Sequence, residues 1–471
     1  MKRATIVLAA WALSACSVEP LQPQSLPAPA QYTRDPVDLP QLTAGTEIPA
    51  AWWQLFQSDA LDSLVRRALD ANPTLARAQA RLVQAQEEFG ARAGATQYPR
   101  VDAKLSSNRV DVQPQSLGGP GLPVPMPLSL YLASVGVSYT FDFFGANRHE
   151  LEALRAEVEH ERFELEAARL MLAGNVVTAA VREAALREQI EHTEEIIALQ
   201  QRQLAIVERL EQIGTRSPSD LAAQRRDLAQ TRAGLPELRR QLEQTRHRLA
   251  IYVGAAPGAA QLPEFRLADL RLPDQLPLTL PSELARRRPD IRASEALLRQ
   301  AGERVGVATA NLYPQVTLSA TTGSLTSHPG DLFAGGTGFY LLGASLAQPL
   351  FHGGELQARR RAAVATYEQA GAAYQETVLR SFQEVADVLR ALEADEKKLG
   401  ERAEAAQQAR RVADIAAARL AAGGVSDYAV LDAQRKLHAA LLDRTQATAD
   451  RHADSAALLQ ALGGGWWARS K

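Results

Sequence analysis

The sequence predicts a mainly α-helical chain that carries four strands of membrane type and is built as two tandem structural repeats. Three observations support this reading: a series of landmarks stated twice, long proline-free stretches rich in helix formers, and segments in which every second residue is apolar.

Each repeat reads as a helix, a strand opening at Tyr-Pro, a Gly/Pro-rich tip, a return strand, a very long helix, a turn and another helix. The first runs from Ala68-Leu69-Asp70-Ala71-Asn72-Pro73 through Tyr98-Pro99 to Tyr252-Val253-Gly254. The second runs from Leu284 and Arg288-Pro289 through Tyr313-Pro314 to Ala461-Leu462-Gly463. Pro73 and Pro289 lie about 216 residues apart, Tyr98 and Tyr313 about 215, and Ser219-Asp220 and Ser426-Asp427 about 207, so the landmarks stay nearly in phase. The expected division is 61–254 and 284–462 for the repeats, a Pro-rich linker at 255–283 and a tail at 463–471.

Met1-Lys2-Arg3 is a positive start, Ala4 to Leu13 a short apolar run, and Leu13-Ser14-Ala15 places small residues before Cys16. The run is shorter than the roughly 20 residues that span a bilayer. Residues 1–15 therefore read as a cleaved signal peptide that resembles a bacterial lipoprotein leader, with Cys16 as the lipid attachment site. Because Cys16 is the one cysteine, an intramolecular disulfide is excluded. The same resemblance implies outer-membrane sorting, since Ser17 rather than Asp follows the cysteine. Residues 16–60 read as a lipidated tether and periplasmic segment, with Leu21 to Pro49 rich in Pro, Gln and Ala and expected to be extended.

With 52 Lys+Arg against 54 Asp+Glu, the formal net charge of -2 offers no basic excess for a nucleic-acid partner. The triplets Arg286-Arg287-Arg288 and Arg359-Arg360-Arg361 read as solvated or headgroup-level side chains. The sequence has no His-Glu-x-x-His and no G-x-S-x-G, and Gly335-Gly336-Thr337-Gly338 lacks the Lys-Ser/Thr of a phosphate loop. Hence no enzyme, catalytic residue, cofactor or metal site is expected, and isolated His352 and His438 read as surface or packing residues.

From Tyr131 to Phe143 the apolar positions are Tyr131, Ala133, Val135, Val137, Tyr139, Phe141 and Phe143, alternating with small or polar residues. Val101, Ala103 and Leu105 alternate likewise, as do Val316, Leu318 and Ala320; from Phe339 to Leu346 the pattern is broken at Leu341-Leu342. Period two fits a soluble sheet or a membrane barrel. Polar tips at Gln113 to Pro127 and Thr322 to Gly338, and aromatic residues gathered at Tyr139, Phe141, Phe143 and Phe144, favour the barrel. Four strands cannot close alone, because small barrels need about eight or more, and free edges in hydrocarbon would leave backbone groups unpaired. Strands that span a membrane therefore require the chain to oligomerise.

From Asn147 to Ile213 there is no proline, and Leu151, Val158, Leu165 and Leu172 recur in heptads. Such a helix would measure roughly 100 Å at about 1.5 Å per residue. Gly214-Thr215-Arg216-Ser217-Pro218-Ser219-Asp220 then turns the chain, with Ser217 or Ser219 as the next helix cap. Ala422-Gly423-Gly424-Val425-Ser426-Asp427 repeats the device after a proline-free run from Glu355.

These residues resemble the outer-membrane efflux protein family, the TolC-like channels, and its lipidated NodT-type members. The stretches that carry the resemblance are Trp52-Trp53-Gln54-Leu55-Phe56, Asn72-Pro73-Thr74-Leu75, Arg288-Pro289-Asp290-Ile291, Asn311-Leu312-Tyr313-Pro314, Gln348-Pro349-Leu350-Phe351-His352-Gly353-Gly354, Leu431-Asp432-Ala433-Gln434-Arg435 and Ala461-Leu462-Gly463-Gly464-Gly465-Trp466. The resemblance implies a homotrimer in which four strands per chain make a twelve-stranded β-barrel, continued by a periplasmic α-helical coiled-coil barrel. It implies a passive exit duct of a tripartite pump in the outer membrane of a Gram-negative bacterium, working without cofactor beside a periplasmic adaptor and an inner-membrane transporter. The competing readings are a structural periplasmic coiled-coil lipoprotein without transport activity, and a periplasmic enzyme.

Within that frame, the tips Gly214, Thr215, Ser217, Ser219 and Gly423, Gly424, Val425, Ser426 are expected to contact the adaptor at the periplasmic end. The gate is expected at the second tip, with Asp432 as its main carboxylate and Tyr428 one turn away on the same helix face. One Asp432 per chain at a threefold axis makes a ring of like charges that favours bound cations or a raised pKa. An offset of about 207 sets Arg225 opposite Asp432, so only the second repeat supplies the ring. Asp427 is either a second ring or a helix-start residue. Val425 stands where the resemblance would place a basic gate residue.

Overall fold

The computed structural model describes residues 31–39, 42–44, 47–111, 127–272 and 275–467. Among the described residues the order is β1 (Leu42–Ala44), α1 (Asp59–Ala71), α2 (Pro73–Gln97), β2 (Arg100–Val110), β3 (Leu128–Phe141), α3 (Ala146–Gln212), α4 (Pro218–Tyr252), β4 (Leu276–Leu278), α5 (Pro281–Arg287), α6 (Pro289–Ala310), β5 (Gln315–Thr326), β6 (Gly338–Ala347), α7 (Glu355–Ala421) and α8 (Asp427–Ala461). The two halves correspond element by element: α3 and α7 are each 67 residues long, α4 and α8 each 35. Cys16 and nearly all of the first strand tip lie outside the described residues.

The chain divides into two compact units. One comprises Leu82–Glu161 and Ser294–Tyr374 and contains an antiparallel sheet in the order β2-β3-β5-β6. Its register aligns the apolar positions of all four strands. Val101 pairs with Val137, Val137 with Ala320 and Ala320 with Leu342; Phe141 pairs with Val316 and Val316 with Leu346. The irregular last strand thus joins the same face through Tyr340, Leu342, Ala344 and Leu346, while Leu341 falls on the opposite face across from Thr321. On that second face Thr140 and Thr317 share a hydrogen bond of 3.0 Å. Gly323 lets β5 approach β3, since a Cβ there would meet the Ala133 carbonyl oxygen at 2.3 Å. Tyr139, Phe141 and Phe143 form a contiguous aromatic row, and Phe144 stacks on Tyr313 at 4.8 Å. The second tip is shorter than Thr322 to Gly338, because β5 continues to Thr326, where Ser324 donates to Thr337 at 2.7 Å. Beneath the sheet, α3 and α6 are joined by His149 to Glu303 at 2.6 Å and by Gln300 to Glu157 at 3.0 Å.

The other unit comprises Leu26–Arg81, Arg162–Ala293 and Gln375–Lys471, as far as described. Here the landmark pairs become contacts. Asn72 donates from Nδ2 to the carbonyl of Tyr252, the last residue of α4; Arg288 donates from Nη1 to that of Ala461, the last residue of α8. Both helices close on a glycine of positive φ, Gly254 at 70° and Gly463 at 93°, and a Cβ on Gly254 would meet the Ala71 carbonyl oxygen at 2.3 Å. This explains why Asn72-Pro73 and Gly254 recur as Arg288-Pro289 and Gly463.

Three expectations are corrected here. The segment read as an extended tether is docked: Tyr32 donates to the Thr279 carbonyl at 2.8 Å, Leu39 and Ile48 are buried, and β1 pairs in parallel with β4. The segment read as a linker supplies buried Phe265, Leu267, Leu270 and Leu276, so its apolar content outweighs its prolines. Arg288 is not solvated but buried, ion-paired to Asp290 at 2.6 Å and Glu384 at 2.8 Å. Burial would lower its pKa, yet those two carboxylates raise it.

Candidate functional site

The two helical turns are built alike. After α3, Gly214 takes φ of 77° and Thr215 donates from backbone and hydroxyl to the Leu210 carbonyl; after α7, Gly423 takes 72° and Gly424 donates to the Arg419 carbonyl at 2.8 Å. Ser217, rather than Ser219, caps α4 in a capping box with Asp220, and Ser426 caps α8 by accepting from the Ala429 amide. Backbone and hydroxyl hydrogen bonds from Ser217 hold the Asp220 carboxyl below its usual range. Gly214, Thr215, Ser217, Ser219, Gly423, Gly424 and Ser426 are exposed, and Val425 is half-buried.

Since each cap opens a helix of 35 residues, Ser217 corresponds to Ser426, and the residue equivalent to Asp432 is Ala223 rather than Arg225. Arg225 instead pairs with Glu208 on α3 at 2.9 Å. The conclusion that only the second repeat carries an acid at this level is unchanged. Asp427 is the first residue of α8, next to the cap, and exposed.

Asp432 and Tyr428 lie one turn apart on α8. The Tyr428 hydroxyl donates to Gln224 Oε1 on α4 at 3.3 Å, tying the start of α8 to the start of α4. Asp432 meets Arg435 Nη2 and Lys436 Nζ, each at 2.8 Å. Burial would raise its pKa, but Lys436 and Arg435 more than offset this and hold the carboxyl below its usual value. Asp432 thus has two counter-ions within its own chain, and its lowered pKa corrects the raised value expected from like-charge repulsion.

A second titratable group lies between α7 and α8. Burial first, then the charges of Asp454 and Asp450, raise Asp395 to about 6 against the pull of Lys398. A carboxyl raised in the folded state binds its proton more tightly there than in the unfolded chain. Stability therefore falls as pH rises from the unfolded value toward about 6, and the penalty persists above it. Asp395→Asn is expected to raise the thermal midpoint at about pH 8 and to give no gain at about pH 4. An equal gain at both would assign the effect to packing.

Among the described residues no helix is long and apolar enough to cross a membrane. Comparison with known proteins agrees with this geometry. The profile of the outer membrane efflux protein family matches residues 64–255 and 280–464. The chain is 32% identical to the pyoverdine export outer membrane protein OpmQ of Pseudomonas aeruginosa, over 99% of this chain and 97% of that one. It is 29% identical to the toluene efflux pump outer membrane protein TtgC of Pseudomonas putida, over 98% and 95%. The solved outer-membrane channel OprN superposes with a TM-score of 0.84 at 26% identity, covering 96% of this chain and 99% of that one. With the membrane-type sheet, the paired long hairpins and both matched stretches in place, the chain belongs to the outer membrane efflux protein family and is an efflux channel of the outer membrane.

Proposed function

We propose that three copies close their sheets into one twelve-stranded barrel, and that the duct so formed passively conducts small molecules delivered by an inner-membrane transporter through a periplasmic adaptor. The observation that carries this is the sheet itself. It has one continuous apolar face, exposed at Val101, Leu105, Val135, Val137, Leu318, Tyr340, Leu342 and Leu346, and its order leaves β2 and β6 with one unpaired edge each. In hydrocarbon those edges must pair, and pairing β2 of one copy with β6 of the next satisfies them without a free edge. Native mass spectrometry of detergent-extracted protein is expected to give a complex of three chains; a stable monomer would overturn closure by this route.

Cys16 is the lipid attachment site in this reading. Each buried acyl methylene contributes about 0.8 kcal/mol, so the anchor assists insertion while the barrel supplies an independent hold. Cys16→Ala is expected to abolish incorporation of labelled fatty acid, and persistent labelling would remove the assignment.

The exposed turns Gly214 to Ser219 and Gly423 to Asp427 contact the adaptor. Gly423 stands in the left-handed region with open space around the position of a Cβ, so a bulky residue there would both strain the turn and project from it. Bulky replacement at Gly423 or Ser426 is expected to lose efflux while trimers still form; normal efflux would speak against the contact. Asp432 and Tyr428, with Asp427 at the helix start, form the gate at the second turn.

A further inference from the structure

His192 on α3 and His438 on α8 face each other with ring centroids 5.5 Å apart, and their Nδ1 atoms are separated by 3.4 Å. The two helices come from different repeats, and the pair lies outside both turns and outside the gate residues. Two imidazole nitrogens on one tetrahedral Zn²⁺, each at about 2.0–2.1 Å, would stand about 3.4 Å apart. The two Nδ1 atoms share a hydrogen bond at that same spacing, so a bound ion would take the place of the proton between them.

The surroundings are mixed in charge. Glu191 adjoins His192 and Glu188 lies one turn before it, while Arg444 faces the pair from α8. Glu188 Oε2 accepts from Thr445 Oγ1 at 3.2 Å, and Gln189 donates to Gln446 at 2.8 Å, so hydrogen bonds on the same helix faces fix the approach of α3 to α8. Burial first, then His438, and to a smaller extent Arg444, hold His192 below its usual pKa against Glu191 and Glu188.

We propose that His192 and His438 form a two-imidazole site for a borderline divalent transition-metal ion, of the Zn²⁺, Ni²⁺ or Cu²⁺ class, that clamps α3 to α8. Imidazole suits this class, and water completes the coordination sphere. Among the described residues no cluster of three or more His, Cys, Asp or Glu could hold a metal. The site is therefore a two-ligand one, exchangeable with the medium rather than a permanent structural centre.

The test uses the full chain purified in detergent without a histidine tag. Titration calorimetry with Zn²⁺ is expected to give one ion per chain, and the Cu²⁺ electron paramagnetic resonance spectrum is expected to show coupling to two imidazoles. His192→Gln and His438→Gln should each lose both signals while eluting at the assembled size, whereas His352→Gln, on an exposed histidine, should keep them. No binding to the unmodified chain, a single-imidazole spectrum, or binding that survives either substitution would overturn the proposal.

Discussion

Val137→Lys is expected to keep the protein out of the outer membrane. Val137 sits within the row Val101, Val137, Ala320 and Leu342 that crosses all four strands, and its side chain is 38% exposed on the apolar face. A lysine on the lipid face of a barrel costs about 2–4 kcal/mol near the midplane. In a three-chain barrel the cost is incurred three times, which exceeds the margin of ordinary folded proteins, about 5–15 kcal/mol, at its lower end. Ser138→Lys places the same charge on the other face, where Ser138 pairs with Ser319, and is expected to insert. Membrane fractionation separates the two; equal insertion would mean that the apolar face does not meet lipid.

Asp432→Ala is expected to raise basal conductance several-fold and to weaken block by divalent cations. Removing the carboxylate leaves Arg435 and Lys436 without their partner and replaces three compensated acids at the constriction by uncompensated cations. Arg225→Ala, whose partner is Glu208, is expected to do neither. The pH dependence follows from the lowered pKa of Asp432. Its ion pairs are present above the unfolded value and are lost only as pH falls through the lower folded value, so closure should survive mild acid. Unchanged conductance in planar bilayers would remove Asp432 from the gate.

Much of this architecture is legible in the sequence because it rests on periodicity and punctuation. Tyr98-Pro99 and Tyr313-Pro314 directly precede β2 and β5, and the proline-free runs are α3 and α7 to within a residue or two. Long-range pairing is where sequence reading stops. The place of Leu342 on the apolar face depends on its register with Ala320, which the Leu341-Leu342 doublet conceals. Segments with the composition of tethers proved docked because a few large side chains, Leu39, Ile48 and Phe265, bury enough surface to outweigh proline and glutamine around them. Counting from Ser219 to Ser426 shifted the equivalence at the gate, since two serines flank Pro218 and cap geometry alone chooses Ser217. The glycines at Gly463, Gly464 and Gly465 read as a tail, yet all take positive φ and seat Trp466, whose indole donates to the Arg287 carbonyl at 2.7 Å.

Three copies of this chain, without energy input, are expected to form a water-filled path across a membrane. The most direct measurement is the conductance of purified complexes added to a planar lipid bilayer. Discrete, ohmic steps of uniform size are expected, each produced by one three-chain complex, rising in Asp432→Ala and absent for Val137→Lys. A bilayer that stays silent, with intact three-chain complexes present in it, would show that the protein forms no open path.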